Sequence, residues 1–280
     1  MEEKQNGEES PNEKTSPDDP ADIINQKSEI PIMEVHAHTH PPPGGTGRKK
    51  WTHYLFEFLM LFLAITLGFF VENQREHYIE HRREKQYIRS YLEDLKTDII
   101  QLDSIILKRN HRKITMDSLN YMLDLPEPDI YGKQIYYYTR WLTIAYVFFN
   151  NDRTIQQLKN GGNLRLIRNQ EASDAIMAYD RQVRWLVIVT DREQEFFLEL
   201  VKKIEEIFDS RVFNKMATGT FGFNMPEGEP RLLKKDKLTI QQMLNKIHFL
   251  NSVNSYLLMT YNDLLNRARQ TKAIIEKEYY

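Results

Sequence analysis

Residues 51–71 have the sequence WTHYLFEFLMLFLAITLGFFV and carry no charge from Phe58 to Val71. As an α-helix rising ~1.5 Å per residue, this segment would cover about 30 Å, which matches the hydrocarbon core of a bilayer. The alternative is a buried core helix in a soluble protein. A helix that is apolar on every face needs a larger apolar surrounding than the polar remainder of the chain supplies. The segment therefore predicts a transmembrane helix.

The residues on either side of this segment suit a membrane span. Trp51 and Tyr54 are aromatic types found at membrane interfaces, and polar residues resume at Glu72. Three consecutive bases precede the span, and acids interleave with the bases after it, which predicts ion pairs on an exposed helix face. The bases are Arg48, Lys49 and Lys50 before the span and Arg75, Arg82, Arg83 and Lys85 after it, where the acids are Glu76, Glu80 and Glu84. The positive-inside rule then favours a cytoplasmic tail, with residues 72–280 on the other side of the membrane, which would be the periplasm for an inner-membrane protein.

Residues 1–50 differ in composition from the rest of the chain. They hold ten acids, six bases and seven prolines, and no aromatic residue. A segment of this kind cannot bury enough apolar surface to offset its conformational entropy. We therefore expect a disordered, acidic, histidine-containing tail over residues 1–50, followed by a transmembrane helix over residues 51–71.

The composition of the whole chain excludes several classes of protein. A mean hydropathy of −0.60 is too polar for a transporter with many spans. Lys and Arg number 38 against 40 for Asp and Glu, so no overall positive charge draws the chain to nucleic acid, and no nucleic-acid partner is expected. The absence of cysteine excludes thiol catalysis, cysteine-ligated zinc, iron–sulfur clusters and disulfides.

Three later segments have the spacing of amphipathic helices. No glycine or proline interrupts residues 69–125, so the span is expected to continue into a long helix. Two more helices are expected over residues 171–210 and 238–279. In each segment the seam positions alternate spacings of three and four residues, which is typical of helices packed along a seam. These positions are Ile88, Leu92, Leu95, Ile99, Leu102 and Ile106; then Ile176, Tyr179, Val183, Leu186, Thr190, Glu193, Phe197, Leu200, Ile204 and Ile207; and then Ile240, Met243, Ile247, Leu250, Asn254, Leu257, Tyr261, Leu264 and Ala268.

This pattern predicts an all-α protein in which residues 72–280 form an antiparallel helical-bundle domain. Each long helix would cover the apolar face of the other two. The polar seam residues Thr190, Glu193 and Asn254 are expected to set the register of packing and not to bind a ligand.

The stretch between the first two long helices predicts shorter elements. Residues 135–149 are rich in apolar side chains but include an arginine and are too short for a second span, so we expect a buried helix that caps the bundle. A short helix over residues 154–159, capped by Asn151 or Asp152, should end in left-handed geometry at Gly161-Gly162.

Several blocks of the sequence resemble a set of single-span membrane proteins of Bacteroidota. The blocks are Met33-Glu-Val-His-Ala-His-Thr-His40, Arg48-Lys-Lys-Trp-Thr-His-Tyr54, Glu72-Asn-Gln-Arg-Glu76 and Tyr91-Leu-Glu-Asp-Leu-Lys-Thr-Asp98. Thr154-Ile-Gln-Gln-Leu-Lys-Asn-Gly-Gly-Asn-Leu-Arg-Leu-Ile167 is similar to an element of the same set and of a related domain-of-unknown-function family. The resemblance, over residues 33–180, implies an inner-membrane anchor with an extramembrane α-helical domain. It implies no activity and no catalytic residue.

The sharpest local motif is His36-Ala-His-Thr-His40. Alternate side chains of an extended chain share one side, so His36, His38 and His40 could together hold Zn²⁺, Ni²⁺ or Cu²⁺, with His53 as a fourth ligand. The alternative is a polar segment before the membrane that binds no metal.

Other candidate sites have structural explanations. His77 and His81 are four residues apart but lack the His-Glu-x-x-His pattern of zinc proteases, so a solvated helix face is expected. Four arginines could line an anionic pocket, but the acids among them favour surface ion pairs. These arginines are Arg165, Arg168, Arg181 and Arg184. No phosphate-binding loop, dinucleotide fingerprint or nucleophile motif occurs.

We therefore expect a single-pass, membrane-anchored helical interaction or sensory-scaffold protein without enzymatic activity. It would contact the lipid bilayer and bind a protein partner, or a second copy of itself, through the bundle. The alternatives are a metal-handling membrane protein that uses His36, His38 and His40, and an enzyme of a type without recognised motifs. No catalytic residue and no cofactor is assigned.

Overall fold

A computed structural model describes residues 48–219 and 222–280, with only the backbone described for residues 48–50. Helices make up about 82% of the described residues. These residues include no β-strand, only an isolated antiparallel bridge between Ala217 and Phe223. The all-α prediction is confirmed for this part of the chain.

The structure has six α-helices and two short 3₁₀ segments within the described ranges. The α-helices are α1, Arg48–Leu123; α2, Gly132–Leu142; α3, Arg153–Asn160; α4, Gln170–Ile207; α5, Ser210–Met216; and α6, Lys237–Tyr279. The 3₁₀ segments are Pro128–Tyr131 and Asn163–Leu166. The three long helices lie where the periodicity predicts them, because their pattern repeats over many turns. The short helix α5 was not predicted.

The first helix contains the candidate membrane span. α1 begins at Arg48, three residues before the predicted start of the span, and continues to Leu123, which confirms the predicted long helix. Residues 51–71 are exposed throughout. Among the described helices, α1 alone is long and apolar enough to cross a membrane. The chain divides into two units, residues 1–62 and 63–280, and α1 contributes residues to both.

The helical domain in the second unit is built on α1, α4 and α6. α6 runs antiparallel to α4 and to α1, whereas α1 and α4 run parallel to each other. The contacts that show these directions are Gln182–Arg267 and Glu199–Lys246 between α4 and α6, Asp103–Arg269 and Arg109–Asn254 between α1 and α6, and Asp98–Tyr179 and Arg109–Glu193 between α1 and α4. The predicted antiparallel packing is therefore wrong for α1 and α4, which follow each other as long helices along the chain. The connection over residues 124–169 brings the chain back along the domain before α4 begins.

Most of the predicted seam residues lie in the core. All nine seam positions of α6 are buried, including Asn254, which is fully enclosed. In α1, Ile99 and Ile106 are only partly buried, and in α4 the same holds for Thr190 and Phe197. Burial of each large aliphatic side chain contributes about 1.5–3 kcal/mol, so this shared seam provides much of the driving force for folding.

The connection between α1 and α4 differs in part from its prediction. The helix expected over residues 135–149 begins earlier and ends at Leu142, and residues 144–150 are not helical. Gly162 has a φ of +62°, the left-handed geometry predicted at the end of α3, whereas Gly161 does not. Asp152 occupies the N-cap position of α3, but its side chain accepts from Gln156 Nε2 and makes no capping bond to the backbone, and Asn151 donates to Asp98.

Candidate functional site

An ion network lies buried between α1, α4 and α6. Arg109 is completely enclosed, and its Nη1 and Nη2 atoms donate to the Glu193 Oε1 and Oε2 atoms at 2.9 and 2.8 Å. Arg112 Nη1 donates to the same Oε1 at 3.0 Å, and Arg109 Nη1 also donates to Asn254 Oδ1 at 3.1 Å. The Arg109 guanidinium lies 5.0 Å from the ring centroid of Tyr261. Two cations therefore share one carboxylate in the core.

The same two arginines hold the chain that follows α2. Arg109 Nη2 donates to the carbonyl oxygen of Tyr146 at 2.8 Å, and Arg112 Nη2 donates to that of Leu142 at 3.3 Å. These bonds satisfy the carbonyl of the last residue of α2 and one carbonyl in the non-helical segment after it, neither of which has a partner in a regular ladder. The network therefore positions residues 143–146 against α1.

A second buried polar cluster joins α1 to the connection before α3. Asp98 accepts hydrogen bonds from the backbone and side-chain nitrogens of Asn151 at 2.8 and 2.9 Å, and from the Tyr179 hydroxyl at 2.8 Å. Burial raises the pKa of Asp98 above its usual range. Asp94 accepts from the backbone nitrogen of Thr154 at 3.2 Å and from its hydroxyl. These carboxylates anchor the connection and are occupied by the chain's own donors.

A third cluster is centred on Glu84. This carboxylate is buried and accepts from the backbone nitrogen of Arg168 at 2.7 Å and from the Tyr279 hydroxyl at 2.7 Å. His81 Nδ1 lies 3.2 Å from its second oxygen. The prediction that Glu84 belongs to an exposed face of paired charges is therefore wrong, because its helix face packs against the start of α4 and the end of α6.

An open groove lies beside the first network. Its volume is about 1120 Å³, and α1, α2, the segment after α2 and the region of the Ala217–Phe223 bridge line it. Its lining residues include Leu107, Lys108 and His111 of α1, Tyr137, Arg140 and Trp141 of α2, and Tyr146 and Phe223. Because Arg109 and Arg112 hold residues 142–146, the ion network supports one wall of this groove.

The groove combines aromatic rings with basic side chains. The ring centroids of Trp141 and Phe223 are 5.4 Å apart in an edge-to-face arrangement, and Tyr137 lies 6.3 Å from Trp141. The Arg140 guanidinium lies 4.3 Å from the Phe223 ring centroid, and its Nη1 donates to Thr143 Oγ1 at 2.7 Å. The described lining contains Lys108 and His111 as further basic groups and no acidic residue. Such a surface favours an anionic group joined to an apolar or aromatic one.

The predicted metal site cannot be placed, since His36, His38 and His40 lie outside the described residues. His53, the proposed fourth ligand, is exposed. The described residues contain no group of three or more His, Asp or Glu side chains that could hold a metal ion. The metal-handling alternative therefore stays a prediction.

The four arginines considered as an anionic pocket do not form one in the described structure. Arg168 is paired with Glu80 at 3.4 Å, and Arg184 is paired with Asp180, as the surface-pair interpretation predicted. Arg165 and Arg181 are exposed, and neither lines the groove.

Sequence reasoning missed the residues that matter most at this site. Arg109 is the next seam position after Ile106 in α1, so a basic residue on the apolar stripe was the available signal. Its partners Glu193 and Asn254 were both identified as polar seam residues. No comparable signal marked the groove, because its walls come from segments that are distant in the sequence.

No protein-family model matches this chain, and comparisons with curated proteins and with solved structures also find no match.

Proposed function

We propose that this chain is a single-pass membrane protein whose helical domain is an interaction or sensory-scaffold module without catalytic activity. The observation that carries this proposal is the groove beside α2. Tyr, Trp and Arg are the residue types that most often dominate the binding energy of protein interfaces, and the groove contains Tyr137, Arg140 and Trp141 on one helix. The partner is a protein, or a second copy of this chain.

The membrane part of the proposal rests on α1. Its residues 51–71 expose apolar side chains over a length that suits a bilayer, and we propose that they cross the inner membrane. Carbonate extraction tests this step, because a spanning protein stays in the membrane pellet. Leu63→Arg combined with Leu67→Arg should release it, since each charge at the centre of a span costs about 3 kcal/mol.

The interaction part is tested by photo-crosslinking in cells of the native host. A benzoylphenylalanine in place of Tyr137 should form an adduct with one defined protein or with a second copy of the chain. The matched control is Tyr121, which is exposed and lies outside the groove lining. Identical adducts from both positions would contradict an interaction site in the groove. Turnover of a substrate by the full chain, abolished in the variant Arg140→Gln, would contradict the absence of catalytic activity.

A further inference from the structure

We infer that the groove binds an acidic segment of a partner protein, anchored by an aromatic or large aliphatic side chain. This inference rests on the proposed function, since it names the chemistry of the partner at the same site. It is carried by the charges, the rings and the open shape of the groove.

The charge of the groove selects for acidic partners. Lys108, His111 and Arg140 line it, and none of them forms an ion pair with a carboxylate within the described residues. The Nε atom of Arg140 is buried and has no hydrogen-bond partner among these residues. The groove therefore holds three basic groups that no carboxylate of the described residues neutralises, and an acidic partner would neutralise them.

The rings of the groove provide a place for an anchoring side chain. Trp141 contacts both Phe223 and Tyr137, each in an edge-to-face arrangement. Leu107 adds an apolar side chain that is 72% exposed. An inserted aromatic or large aliphatic side chain would bury this surface, and such anchors carry most of the energy of many interfaces.

The shape of the groove favours a peptide segment over a small molecule. Sites for small molecules enclose most of the ligand in about 300–1,000 Å³. At about 1120 Å³ this groove lies near the upper end of that range, but it is open to solvent and does not enclose a ligand. The acidic residues 1–50 of this chain are an unsuitable occupant, because a span over residues 51–71 would leave them on the opposite side of the membrane.

A peptide selection on the full chain tests the inference. The chain is embedded in nanodiscs of phosphatidylcholine, and a displayed library of random short peptides is selected against it. We expect the enriched peptides to carry net negative charge and at least one aromatic or large aliphatic residue. Fluorescence anisotropy with these peptides should then show about tenfold weaker binding to Arg140→Gln and to Trp141→Ala.

Matched variants separate the groove from the rest of the surface. Lys108→Gln should weaken peptide binding. Lys113→Gln is the control and should leave binding unchanged, because it removes an exposed charge of the same helix that lies outside the groove lining. Arg140→Glu should shift the selected peptides toward basic sequences, a gain that a misfolded variant cannot show. Circular dichroism melting curves confirm that each variant is folded.

Three results would overturn the inference. Enriched peptides could lack net negative charge, or bind all the variants equally well. Nanodiscs containing phosphatidylglycerol could compete with the peptides at Arg140, which would make the groove a site for anionic lipid. The proposed function is tested separately by the crosslink at Tyr137. A crosslinked partner without an acidic segment would support the interaction module and contradict only this inference.

Discussion

Arg109 and Glu193 form a two-point ion pair inside the helical domain, although 84 residues separate them in the sequence. The pair joins two parallel helices, α1 and α4, at the level where Arg109 also holds the carbonyl oxygen of Tyr146. A buried pair of this geometry specifies one register, because a shift by a single turn would leave both charges without partners. The same contact therefore stabilises the bundle and supports one wall of the groove.

Removal of the Glu193 carboxylate should be strongly destabilising. Glu193→Gln leaves the cations of Arg109 and Arg112 buried without a counter-charge, and we expect the free energy of unfolding to fall by about 3–5 kcal/mol. The measurement is urea unfolding of the full chain in detergent, followed by tryptophan fluorescence. Glu199→Gln is the control, since Glu199 pairs only with exposed or partly exposed lysines and should change the midpoint little. Equal midpoints for the two variants would show that the buried network adds no stability.

A close approach at the start of α2 makes Gly132 sensitive to substitution. A Cβ atom at this position would lie 2.0 Å from the carbonyl oxygen of Pro230, so backbone on one side has to move. We expect Gly132→Ala to lower the free energy of unfolding by about 1–3 kcal/mol. Gly219→Ala is the matched control, because nothing lies within 4 Å of its Cβ position. A melting temperature of Gly132→Ala equal to that of the control would contradict the packing of α2 against this loop.

The periodicity of the sequence was sufficient to predict the positions of the long helices but not the directions in which they pack against each other. In α6 every predicted seam position from Ile240 to Ala268 is buried, because a repeat over many turns specifies one apolar face. The direction of α4 relative to α1 depends instead on where the chain travels over residues 124–169. That path is set by tertiary contacts such as Asp98 with Asn151, which no local pattern reveals.

The residues of the candidate site could also be predicted only in part from the sequence. The polar seam residues Glu193 and Asn254 were recognisable because they interrupt an apolar stripe. The groove was not recognisable from the sequence, because Trp141 and Phe223 are 82 residues apart in the chain. In addition, α2 ends seven residues before the predicted end of its helix. Helix ends depend on such contacts more than on propensity, so Tyr146 could not be placed at the groove in advance.

The buried Asp98 predicts a pH dependence with a definite sign. Burial raises the pKa of Asp98, so its protonated form favours the folded state. The contribution of Asp98 to the free energy of unfolding is fully present below the pKa of an aspartate in the unfolded chain, about 4. It is lost as the pH rises through the pKa of Asp98 in the folded state. Asparagine does not titrate and can still accept a hydrogen bond from Asn151. The stability of Asp98→Asn relative to the wild type should therefore increase from about pH 4 to about pH 7, measured by urea unfolding. A relative stability that falls over this range would contradict the assignment.

The orientation in the membrane is testable because the native chain contains no cysteine. We expect Glu227→Cys, in an exposed part of the loop before α6, to react with a membrane-impermeant maleimide in intact spheroplasts. Ser10→Cys, in the N-terminal tail, should react only after lysis. Labelling of Ser10→Cys before lysis, with Glu227→Cys protected, would reverse the proposed topology.

The charges nearest the span provide the reason for this expectation. Arg48, Lys49 and Lys50 are consecutive and directly precede Trp51, whereas Arg75, the nearest base after the span, is paired with Glu72 at 2.6 Å. The next bases, beginning with Arg82, lie about 16 Å further along the helix than the end of the span. Since the positive-inside bias acts close to the ends of a span, the three consecutive bases should hold the tail in the cytoplasm. Replacement of all three by glutamine should then weaken the bias and produce labelling of Ser10→Cys in a fraction of intact spheroplasts.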